Sequence, residues 1–98
     1  MKLDLNKPIL DLEGNPIKNG NEVLTIGKQI ASALVGSNKG EALKFYDWAV
    51  KLYKGEALEV DKSDLKKITE FVETNEQFTN LLKAQALELL DIKEEVKS

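Results

Sequence analysis

The stretch that most limits what this chain can become is KGEALKFYDWAVKLYK, Lys39 to Lys54. It holds one of the three Phe, both Tyr and the only Trp. Read with a 3.6-residue period, Ala42, Phe45, Ala49 and Leu52 form one stripe, and Leu43, Tyr46, Val50 and Tyr53 form a second beside it. Asn38 is placed to cap this helix with Glu41 at N3, and Gly55 to end it in the left-handed conformation. A helix with two apolar stripes cannot stand alone, so the shorter segments on either side are expected to pack on it.

At 98 residues with 42% hydrophobic composition, the chain reads as one domain over 1–98. If compact, it would bury roughly 65% of its extended surface. There is no Cys, so neither disulfides nor thiolate metal sites can help hold it. There is no His either, which removes the usual general base and the usual zinc ligand together. All the basic residues are Lys, and the formal net charge is −3. Without arginine's planar fork, dedicated phosphate or base recognition is disfavoured, although Lys can still neutralise phosphates. The acidic excess lies wholly in residues 61–98, a surface better matched to a basic protein patch than to DNA. No apolar run is long enough to span a bilayer, and Met1–Lys2 leads into no signal-peptide core. The expectation is an intracellular protein, or a part of a larger assembly, neither secreted nor membrane-bound.

Taken in order, Leu3–Leu5 and Ile9–Leu12 read as extended, with Pro8 at a strand start or edge. Glu13–Gly14–Asn15–Pro16 and Lys18–Asn19–Gly20–Asn21 are turn signals, with Ile17 and Glu22–Leu24 as short return strands. Thr25 caps a helix from Ile26 to about Val35, and Gly36–Ser37–Asn38 links it tightly to the aromatic helix. Glu56–Val60 alternates and suits an extended segment able to pair with the N-terminal strands. Asp61, with Asp64 at N3, caps a third helix whose buried face is Leu65, Ile68 and Val72, with Phe71 beside it. Thr74 to Gln77 repeats the capping-box spacing before a last helix that presents Phe78, Leu81, Leu82, Ala86 and Leu89, with Leu90 at the edge. The fold class is therefore α+β: a small N-terminal β-hairpin or meander over 1–24, about four short helices over 25–91, and a frayed tail over 92–98.

Sets of residues that could carry chemistry fail on detail. A calcium loop from Asp61 would put Leu65 and Lys66 where an oxygen ligand and Gly are needed, and one from Asp11 would put Pro16 at the glycine. The glycines match neither a dinucleotide fingerprint nor a P-loop. Gly27 is unusual in the first turn of a helix, where Ala would be better by about 1 kcal/mol. It either permits a tight strand-to-helix approach or leaves room for a ligand at the backbone. Ser32 and Lys28 share helical i,i+4 spacing, and nothing else supports a Ser–Lys dyad. No catalytic, cofactor-binding or metal-ligating residue is assigned, and no cofactor. The candidate interface residues are Tyr46, Trp48, Tyr53 and Gln85. Trp48 lies about 60° from Phe45 around the helix, so it closes the core or lies on its rim. Gln85 falls among Leu81, Leu82 and Leu89, at a boundary or across an interface.

The pattern LDLNKPILDLEGNPI, a polar turn and LTIGKQIASALVG resembles small uncharacterised phage and prophage proteins that open with Leu-Asp-Gly-Lys-Pro-type repeats. Tyr53–Gly55, Val60–Ser63 and Ala86–Asp91 match the rest of that layout, and Glu13–Gly14 stands in place of its Asp-Gly. The resemblance implies a phage or prophage gene product and brings no activity or functional residue with it. The function expected is a non-enzymatic adaptor or assembly protein working through a protein partner or self-association. The alternative is a nucleic-acid-associated regulator using a face lined by Lys62, Lys66, Lys67 and Lys83.

Overall fold

The computed structural model describes residues 2–37 and 41–95, with side chains described to Leu90 in the last helix. Among the described residues the fold is a small α+β arrangement of two-stranded sheets and four short helices. The chain divides into two compact units: residues 4–58, and residues 59–95 together with 2–3.

In the larger unit, the segment before the first helix is a three-strand meander that closes on itself. Ile17 N–H donates to Ile9 O at 2.8 Å, Leu24 N–H to Ile17 O at 2.9 Å, and Ile9 N–H to Leu24 O at 2.9 Å. First and third segments are thus paired as well, with isolated bridges Pro8–Thr25 and Leu10–Pro16 on either side. Asp11 organises the first turn, its Oδ1 accepting from Glu13 N–H at 2.9 Å and Asn15 N–H at 3.0 Å. The second turn joins β2 (Lys18–Asn19) to β3 (Glu22–Val23) antiparallel, with Asn19 opposite Glu22, so its two-residue loop is Gly20–Asn21.

Helix α1 (Ile26–Gly36) starts where expected, with Thr25 Oγ1 accepting from Lys28 N–H at 3.2 Å. Gly27 settles its own alternative: its N–H donates to Leu5 O at 2.8 Å, and an added Cβ would lie 3.1 Å from that oxygen. The glycine permits a backbone-to-backbone approach. Helix α2 (Ala42–Tyr53) begins later than the sequence suggests, with Glu41 at the N-cap rather than at N3. The expected cap, Asn38, lies outside the described residues. At the other end Gly55 has φ +82°, and its N–H donates to Leu52 O while Glu56 N–H donates to Lys51 O, both at 3.0 Å. These two bonds are the Schellman pattern and satisfy carbonyls the helix would otherwise leave orphaned.

Strand β1 (Lys2–Leu3) pairs with β4 (Leu58–Glu59), and residues 2–3 belong to the unit of the C-terminal helices. Helix α3 (Lys62–Thr74) carries the full capping box: Asp64 N–H donates to Asp61 Oδ1 at 2.7 Å and Asp61 N–H to Asp64 Oδ2 at 3.4 Å. Leu65, Ile68 and Val72 are buried as the period implies. The start of α4 (Asn80–Glu95) corrects the sequence reading. Thr74 does not cap it, because its hydroxyl donates back to Glu70 O at 2.7 Å within α3. Thr79 supplies the cap, its Oγ1 accepting from Leu82 N–H at 3.2 Å. Phe78 consequently sits before the helix, in edge-to-face contact with Phe71 at 6.3 Å between centroids. Leu90 is not at the edge but fully buried, on the same face as Leu82 and Ala86.

Candidate interaction surface

Helices α1 and α2 pack on one another and sort the two stripes of α2. Phe45, Ala49 and Leu52 of the first stripe are buried and Ala42 at its start is exposed, while of the second stripe Val50 is half-buried and Leu43, Tyr46 and Tyr53 are 88%, 63% and 62% exposed. A helix packed on one side has room in the core for one stripe, and the wider one with Trp48 takes it. From α1, Val35 adds a 58% exposed side chain. Between the helices runs an open groove of about 370 Å³, almost wholly apolar, lined by Ala31, Ser32, Val35, Ala49, Val50, Tyr53 and Lys54.

The rim of the groove carries charge. Lys28 Nζ lies 5.3 Å from the centroid of the Tyr53 ring and 3.6 Å from Glu22 Oε2. That ammonium is held by Tyr53 and Glu22, and no hydrogen bond joins it to Ser32. Along the outside of α2, Lys51 Nζ pairs with Asp47 Oδ2 at 3.2 Å and Lys44 Nζ with Glu41 Oε2 at 3.8 Å. The cation–π contact gives the Tyr53 ring a fixed backing despite its exposure.

The four residues singled out from the sequence are not gathered into one site. Tyr53 lines the groove and Tyr46 lies two turns before it on the same face. Trp48 is 5% exposed, stacked on Phe45 with centroids 5.6 Å apart, and capped by Lys44 Nζ 5.6 Å from its ring. Within this chain it is a core residue. Gln85 is half-buried on α4, in the other unit. The residues that sequence reasoning missed are Ser32 and Val35, the α1 wall of the groove. Their signal was faint: both lie off the Ile26–Ile30–Leu34 stripe, which marks a face left outside the core.

On α3, Lys62 and Lys66 are exposed and Lys67 is half-buried, while Lys83 on α4 donates from Nζ to Glu73 O at 3.2 Å. On α3, Asp64 stands between Lys62 and Lys66, and Glu70 and Glu73 follow Lys67, both within about 80° of Lys62 around the helix. Among the described residues no group of three acidic side chains is placed to hold a metal ion, and no helix is long and apolar enough to cross a membrane. In comparisons with known proteins, no family model, no curated protein and no solved structure matches this chain.

Proposed function

We propose that the protein is a non-enzymatic interaction module, an adaptor or assembly protein that docks a protein partner on the α1–α2 face. The observation that carries this reading is the second stripe of α2. Leu43, Tyr46 and Tyr53 are left in solvent, Tyr53 on the wall of an apolar groove, although the same helix buries Phe45, Trp48, Ala49 and Leu52. Apolar surface gathered in this way, with tyrosines among it and charge at its rim, is the anatomy of a contact patch. Among the described residues no polar or charged side chain is buried, whereas acid–base chemistry usually works through desolvated groups. The phage or prophage setting rests on the sequence resemblance. A lysine-lined nucleic-acid face gains no support, because Asp64, Glu70 and Glu73 interrupt the positive field of α3.

The test is Tyr46→Ser with Tyr53→Ser in the full chain. Both sites are exposed, so the loss in urea unfolding should be held to about 1 kcal/mol, most of it from the Lys28–Tyr53 contact. Proteins co-purifying with the wild type from the cells that express it should be lost from the folded double variant. Retention of the same partners at the same yield would remove this face from the function.

A further inference from the structure

Resting on the interaction reading, we propose that the occupant of the α1–α2 groove is a second copy of the chain, docked antiparallel about a twofold axis at Val50. At about 100° per residue, Tyr46 and Tyr53 lie within about 60° of Val50 on the side toward the groove, and Asp47 and Lys54 within about 60° of it on the other. A twofold axis across the helix at Val50 reverses the copy, so a residue three before Val50 comes level with the partner's residue four after it. At 1.5 Å per residue the two differ in height by about 1.5 Å. Asp47 of each copy then faces Lys54 of the other, twice in the dimer. Isologous contacts require such self-complementarity.

The charges and the apolar residues agree on this register. Lys54 is exposed and has no ion-pair partner among the described residues, while the exposed Asp47 carboxylate is engaged by Lys51 from one side. A register centred three residues earlier would set Asp47 against its own copy. With the axis at Val50, Tyr46 of each copy comes level with Tyr53 of the other, beside the groove. The groove, at about 370 Å³, has ample space for one phenol ring. Exposed Ser32 on its wall offers the hydroxyl of that ring a hydrogen-bond partner. Two half-exposed tyrosines offer about 250 Å² per copy at ~200 Å² per aromatic side chain. That falls below the area of a standard interface even with the rim, so the dimer is weak and concentration-dependent.

The test is sedimentation equilibrium of the full chain from micromolar to millimolar concentration, with circular dichroism confirming that every variant is folded. The wild type should move from monomer to dimer across that range. Asp47→Lys and Lys54→Asp should each weaken self-association by about tenfold or more, since each sets like charges opposite one another. An equimolar mixture of the two variants should regain the dimer, because both pairings become attractive again. A wild type that stays monomeric throughout overturns the proposal, as does a dimer indifferent to the single reversals or a mixture no better than its components. A monomer that still captures a foreign partner through Tyr46 overturns self-association while leaving the interaction reading standing.

Discussion

Gly27 shows how much of this molecule turns on single backbone contacts. The Leu5 carbonyl it approaches accepts two hydrogen bonds, from Lys7 N–H and Gly27 N–H, both at 2.8 Å. It cannot withdraw from a new methyl group without lengthening both. Gly27→Ala gains about 1 kcal/mol of helix propensity, and the clash should outweigh it. The expected outcome is a net loss of about 1 kcal/mol in urea unfolding, a clash of about 2 kcal/mol in the middle of the range of overpacking costs less the gain in propensity. A variant more stable than the wild type would show that the Leu5 segment gives way easily. The sequence marks Gly27 as out of place but cannot say which strand approaches it, because Leu5 is far away along the chain. Gly55 is the opposite case, since a positive φ after a helix is a local demand that the residue type alone announces.

Among the elements, what was local was legible and what needed a competing partner was not. Thr25 and Asp61 were readable as caps because the groups they bond lie three residues away. The α3–α4 junction was misread because Thr74 and Thr79 both carry a hydroxyl in a polar stretch. The spacing pointed at Thr74, while its hydroxyl is spent on Glu70 O. The correction makes a measurable distinction: Thr79→Ala should cost about 1 kcal/mol, as cap removals do. Thr74→Ala should cost well under half of that, because back-bonding to the preceding turn adds little to a helix. Equal losses in chemical denaturation would contradict the assignment of the cap to Thr79. The meander is similar in kind. Its turns could be read from Gly14, Asn19 and Gly20, whereas the pairing of Ile9 with Leu24 is a tertiary event between its first and last segments.

For the molecule as a whole, Trp48 is the natural reporter. It is buried and stacked on Phe45, so its emission should be that of a shielded indole, unchanged from micromolar to millimolar protein even where association occurs. A blue shift on concentration would place the indole at the contact between copies and return it to the interface. The α+β class, the four helices, most of their ends and the buried faces of α1 and α3 were determined by the sequence itself. Periodicity and caps act over a few residues and need no knowledge of the rest of the chain. Tertiary structure alone decided which stripe of α2 entered the core, which hydroxyl capped α4, and how the meander closed. Both stripes satisfy the helical period equally well. Only packing against α1, with its limited space for large side chains, buries one and leaves the tyrosines of the other in solvent.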